Sequence, residues 1–432
     1  MEKIIKFTSC LFSAVLIFSA SCTKEYNDPS RATEEIVLSS PKGLTGVAVG
    51  LQRVYTSQRT GLLFNTITAN GFVSNELVLL NAGNIPELQL STGGATIDGT
   101  NSILNQLWTN GNKIVYDADQ VISNAANLSD KGYASGLIAY SSIFKALALG
   151  SMSTFWEQIP AEVGQQDVNF ITRIEGYNKA IAAINDAQAA ITANAISPTF
   201  LSSVPPGIDI PNTLNALKAR YALFAGDYPT ALAAANSVDL SVRSVFNFDA
   251  ISLNPIFEIA TSTNNVFQPI NATLGLTGTL QPDPADQRIA FYTTQNPTIL
   301  PLIRINGFGA AATTPFPIYL PSEMTLIKAE VLARQPDPGA ALIELNKVVT
   351  KTPASDPFGV GAGLPPLTGP LTQEQLFEEI YKQRSIELFM SGLRLEDMRR
   401  LNRPESERKR NFFPYPFTES DNNPNTPESK TF

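Results

Sequence analysis

The sequence predicts a mostly α-helical protein, in which paired helices build a scaffold and long irregular loops with a few short strands lie over it. Three observations carry this. Apolar residues recur at helical spacing through several segments, alanine is dense on those apolar faces, and the 27 Gly and 30 Pro cluster between the helical segments. The chain has 432 residues, 43% of them hydrophobic. That is enough for one large core or two ordinary ones, on a prior of roughly 100–200 residues per domain.

At the N-terminus, Lys3 and Lys6 precede an apolar run from Phe7 to Phe18, and Ser19, Ala20 and Ser21 form a small-residue exit. This order predicts a secretory signal peptide over residues 1–21. The run is shorter than the ~20 apolar residues a spanning helix needs, so an exported chain that does not cross a membrane is expected. The stretch "FSASCTKEYND", small residues ending in Cys22, resembles a bacterial lipobox, although Ser19 stands where leucine is usual. On that resemblance Cys22 is the lipid attachment point, and Cys10 leaves with the signal peptide. No thiol then remains for a disulfide.

Composition closes several function classes. The formal charge is −8, and removing Glu2, Lys3 and Lys6 with the signal takes away a net +1 to leave −9. An acidic surface lacks the basic footprint of nucleic-acid binding. Histidine is absent altogether, which removes the base of a Ser-His-Asp triad and the commonest zinc ligand. No cofactor and no metal site is expected. A glycosidase stays open, because two carboxylates suffice for its chemistry.

Taken in order, the first predicted helix is Ser102 to Leu128, with Ile103, Leu107, Ile114, Ala118, Val121, Ile122 and Ala125 near helical spacing. Leu137 to Phe155 is a second and Tyr177 to Thr192 a third. Two later segments repeat one pattern: "ALKARYALFAGDYPTALAAANSV" from Ala216 superposes on "IKAEVLARQPDPGAALIELNKVV" from Ile327. Ala219 then meets Ala329, Asp227 meets Asp337, Ala231 meets Ala341 and Val238 meets Val348. These are the small and turn positions of tetratricopeptide-like helix pairs.

The C-terminal segment "LTQEQLFEEIYKQRSIELFMSGLRLEDMRRLNR" opens with Thr372 and Gln375 spaced as a capping box. Arg384 with Glu387, and Asp397 with Arg400, are three apart on helix faces. A half-buried structural ion network of Arg384, Glu387, Arg394, Asp397 and Arg400 around Gly392 is expected, and no catalytic residue.

This segment resembles the C-terminal signature of the SusD/RagB family of outer-membrane nutrient-binding lipoproteins, with Arg384, Glu387, Leu388, Gly392, Arg394, Asp397 and Arg400 on its pattern. Gln383, Ser391 and Met398 depart from it. The lipobox, "FKALALGSMSTFWEQIP" from Phe144, both helix pairs and the tail "FFPYPFTESDNNPNT" follow in the family's order. The resemblance implies a SusD-like single domain over residues 22–432, with helical scaffold at about 102–246 and 322–403 and loop-rich regions at about 70–100 and 247–321. It also implies a non-enzymatic, lipid-anchored lid at the cell surface, over a SusC-like TonB-dependent outer-membrane transporter. Lys24, Glu25 and Asp28 are similar to the charged segment that sends such lipoproteins outward.

The implied ligand is an oligosaccharide or, alternatively, a peptide. A secreted carboxylate glycosidase and a tetratricopeptide scaffold inside the envelope are the readings of other classes. A sugar site needs exposed rings beside amides or carboxylates that pair hydroxyls. Trp108 lies on an apolar stripe and is expected in the core, while Trp156 fits either a surface platform or a packed junction. Asn75, Glu76, Asn84, Phe267, Tyr292 and Phe308 lie in the two loop regions and complete the candidates.

Overall fold

The computed structural model describes residues 34–335, 337–430 and 432. The expected signal peptide over residues 1–21 and the expected lipid attachment point Cys22 lie outside the described residues. Helices dominate: α1 Pro41–Thr56, α2 Leu62–Val73, α3 Ile85–Thr92, α4 Ser102–Ala125, α5 Lys131–Phe155, α6 Arg173–Ala193, α7 Ile210–Ala225, α8 Tyr228–Asn236, α9 Pro321–Arg334, α10 Pro338–Val349, α11 Gln373–Glu387, α12 Arg394–Arg400 and α13 Phe417–Asn422. Strands are short and pair two by two. β1 Leu77–Leu79 pairs with β5 Phe267–Pro269, β2 Gln158–Pro160 with β3 Phe170–Thr172, β4 Val245–Phe246 with β8 Phe316–Pro317, and β6 Thr293–Gln295 with β7 Ile303–Ile305, each antiparallel.

Local chemistry sets the helix boundaries. Asn101 Oδ1 accepts from the Ile103 and Leu104 amides at 3.1 and 3.2 Å to start α4, and Asp130 Oδ1 accepts from Tyr133 N at 2.9 Å to start α5. Thr172 with Glu175 and Thr372 with Gln375 both close full capping boxes, at α6 and α11. The two halves of the sequence repeat each form a pair of helices, α7 with α8 and α9 with α10. Asp227 caps α8 and Asp337 caps α10 through their side chains, and Ala219, Ala231, Ala329 and Ala341 are all fully buried.

α5 is the central element, buried on nearly every face from Ala134 to Phe155. It is flanked by α4, α6 and α7. Close approach is possible because Gly150 faces the Tyr221 ring, where an added Cβ would stand 2.2 Å from ring carbons. A second, smaller apolar cluster joins Leu326, Ala329, Leu345, Leu376 and Ile380 between α9, α10 and α11. Helices α1 and α2, which the sequence reading did not mark, complete the bundle, and α3 sits inside the stretch expected to be loop. No helix among the described residues is long and apolar enough to cross a membrane.

Candidate functional site

The two loop-rich regions meet in space. β1 lies beside β5 with Leu77 opposite Pro269 and Leu79 opposite Phe267. Inward-facing Leu77 and Phe267 are fully buried, and Phe64 and Phe72 pack on the Phe267 ring at 6.0 and 5.8 Å between centroids. Buried Gln268 locks the joint: its Nε2 donates to Asn264 Oδ1 at 2.9 Å, and its Oε1 accepts from Ile305 N of β7 at 2.8 Å. Loops tied this way can hold ligand groups in fixed positions.

At the open end of this joint the side chains are amides. Asn81 Nδ2 donates to Asn265 Oδ1 at 3.2 Å, Asn84 Nδ2 donates to Asn81 O at 3.1 Å, and Gln58 Nε2 donates to Glu258 Oε1 at 3.2 Å. Glu258 Oε2 has no hydrogen-bond partner among the described residues. Amides at the surface can exchange hydrogen bonds with hydroxyls in both senses, whereas the unpaired Glu258 Oε2 is buried. Of these residues only Asn84 was singled out in the sequence. The clue to the others lay in the turn sequences "NAGN" from Asn81 and "STNN" from Ser262.

The remaining candidates scatter. Asn75 adopts φ 60° and donates Nδ2 to Glu407 O at 2.9 Å, at the edge of a cavity of about 210 Å³ also lined by Thr277, Tyr381 and Arg394. Glu76, the next residue, is buried, accepting from Asn70 Nδ2 at 2.8 Å. Burial pushes its carboxyl up from the ordinary value, and Arg394 opposes the shift. Tyr292 and Phe308 line a different cavity with Tyr55, Phe246, Phe316 and Phe389. That space is only about 50 Å³, room for a water or two rather than a sugar. The Tyr292 hydroxyl donates to Glu387 O, and burial holds its pKa well above the ordinary value.

Trp156 corrects the platform expectation. Its ring is fully buried, its Nε1 donates to Pro414 O at 3.0 Å, and Trp108 packs edge-on at 4.9 Å. The indole seals a junction between α5 and the C-terminal segment, so no face is free to stack. Glu76, Phe267 and Tyr292 are likewise covered, leaving Asn75, Asn84 and half-buried Phe308 as the candidates with solvent access.

The charged residues of the C-terminal motif are interior. Arg384 Nε donates to Asp397 Oδ2 at 2.9 Å, and Arg400 bridges Asp397 at 2.7 Å and both oxygens of Glu330 at 2.8 Å. The expected partner of Arg384 on its own helix, Glu387, turns away to Arg288 at 3.0 Å and Lys351 at 2.9 Å. Burial raises the Glu387 carboxyl, but Lys351 and Arg288 outweigh it and hold the group below its ordinary value. Among the described residues no group of three or more His, Cys, Asp or Glu is placed to hold a metal.

No family model and no curated protein matches the chain. Solved structures do. A SusD superfamily protein from Bacteroides vulgatus is 12% identical, with a TM-score of 0.67 over 91% of this chain and 100% of its own. A SusD/RagB family protein from Bacteroides thetaiotaomicron is 16% identical, with a TM-score of 0.65 over 88% of this chain and 94% of its own. A SusD-like carbohydrate-binding protein from Bacteroides vulgatus is 14% identical, with a TM-score of 0.65 over 83% of each chain. The chain therefore has the SusD-like fold.

Proposed function

We propose that this chain is a cell-surface nutrient-binding lipoprotein that captures an oligosaccharide and delivers it to a SusC-like TonB-dependent outer-membrane transporter. The observation that carries the reading is the likeness to SusD-like structures over most of the chain, one of them a carbohydrate-binding protein. The amide rim at the β1–β5 joint supports it, because donors and acceptors fixed at a surface suit a ligand made of hydroxyls. Cys22, carrying lipid, would keep the protein beside its pore, where tethering raises the effective concentration.

Capture without turnover fits the carboxylates of the C-terminal motif. A glycosidase needs one carboxylic acid with a raised pKa facing its substrate, whereas Glu387 and Asp397 are buried in ion pairs. The test is an array of neutral oligosaccharides and short peptides probed with the full chain in detergent. The proposal expects glycan binding, weakened by Asn81→Ala with Asn265→Ala, and intact glycan on elution. Binding confined to peptides, or recovery of shortened glycans, would overturn it.

A further inference from the structure

Away from the β1–β5 joint, the connection between β2 and β3 crosses over α4 and faces α13. The groove between them is lined by Asn112, Glu162, Gln165, Gln166, Asp167 and Asn422 and encloses about 320 Å³. A second cavity of about 240 Å³ shares Asn112, Pro160, Glu162 and Val163 with it and continues towards α5 and α6. The larger of the two alone reaches the lower end of the roughly 300–1,000 Å³ typical of ligand sites.

Two exposed rings stand next to residues of the groove wall. Tyr116 is 38% exposed and Phe417 is 52% exposed. Gly164, at φ +82°, lies so near Tyr116 that a Cβ there would stand 2.6 Å from Cε2 of the ring. The Phe417 amide donates to Gly99 O at 3.2 Å, and the next residue, Thr418, is part of the groove wall. Asn112, common to both cavities, donates Nδ2 to Trp108 O at 3.1 Å, and its Oδ1 is buried without a partner among the described residues.

The charges nearby are largely satisfied within the protein. Lys145 pairs with Asp119, Lys179 donates to Ala161 O, and Glu419 accepts from Trp108 Nε1 and Asn423 Nδ2, each at 3.0 Å. What remains on offer is amides and the carboxylates Glu162 and Asp167. An anion would meet those carboxylates. A hydroxyl can donate to them and accept from the glutamine amides, while a sugar's apolar face covers an aromatic ring.

We propose that this groove is a second carbohydrate site, taking a neutral oligosaccharide across the β2–β3 connection and α13. The proposal rests on the carbohydrate reading above. The protein supplies its own reporter: the Trp108 indole is bonded to Glu419 of the groove wall and lies 4.9 Å from Trp156, the other tryptophan of the chain.

The test titrates the full chain in detergent with maltohexaose, cellohexaose, xylohexaose and mannohexaose, following tryptophan emission and binding heat. Tyr116→Ala and, separately, Gln165→Ala change exposed positions and should leave the melting temperature unchanged. The expected result is an emission change with at least one hexasaccharide, weakened about tenfold by Tyr116→Ala and retained in Asn81→Ala with Asn265→Ala. Binding untouched by both groove variants but lost in the joint variant overturns the second site and leaves the function standing. Displacement of bound glycan from the groove by a hexapeptide overturns the ligand class. No binding of any hexasaccharide to the unmodified chain overturns both proposals.

Discussion

Arg394 Nε stands 3.4 Å from Glu76 Oε1, joining the last motif of the chain to the turn before β1. The same guanidinium donates to Leu274 O at 2.8 Å and Ser385 O at 2.9 Å, so one side chain holds both loop regions against α11. The sequence had placed Arg394 in one network with Arg384, Glu387, Asp397 and Arg400, without Glu76. Arg394→Ala should therefore strand a buried carboxyl at Glu76 and destabilise the fold by about 3–5 kcal/mol. Adding Glu76→Gln should cost less than the sum of the single changes. A urea-unfolding double-mutant cycle checks this, and strict additivity would show that the pair is not coupled.

The Glu330 carboxyl predicts a particular acid sensitivity. Burial pushes its pKa up, but Arg400, Arg384 and Arg334 outweigh burial and bring it down to about 2 from 4.5. Because the folded value lies below the unfolded one, the stabilisation is fully present above about pH 4.5 and is lost as pH falls towards 2. The shift corresponds to on the order of 3 kcal/mol. Glu330→Gln should remove this part of the pH dependence, read as a flatter profile of melting temperature between those limits.

What the sequence revealed was local. Asp227 and Asp337 cap helices, and alanines lie at equivalent positions in each pair, because caps and helical stripes are set within a few residues. Helix α2 was missed for a related reason: every residue from Leu62 to Val73 is buried, so it has no polar face and no amphipathic period to detect. The candidate site was less legible. Which aromatic ring is covered depends on segments distant in sequence, as when Pro414 closes over Trp156 and β5 over Phe64. Amides in turns such as Asn81 and Asn265 look ordinary until strand pairing brings them together.

Gly150 tests how tightly the central helix is packed. Its missing side chain admits the Tyr221 ring, whose Cε1 and Cζ would lie 2.2 Å from an alanine Cβ. Gly150→Ala gains helix propensity, yet overpacking of this kind costs about 1–3 kcal/mol. Thermal unfolding should show a net loss of stability, and Gly150→Ala with Tyr221→Leu should recover part of it.

The anchor is tested separately from the fold. Cys22→Ala should move the protein from the membrane fraction to the soluble one with an unchanged melting temperature, because acyl chains contribute ~0.8 kcal/mol per buried CH₂ to membrane attachment. Unaltered membrane association in that variant would contradict the lipid attachment.

Capture beside a transporter is the central claim, and extraction of native membranes tests it most directly. The tagged full chain, solubilised in mild detergent after cells have been fed a glycan that it binds, should bring with it a large outer-membrane barrel at stoichiometric level and the glycan uncleaved. Recovery of the chain alone across several detergents, with no barrel and no glycan, would contradict the account.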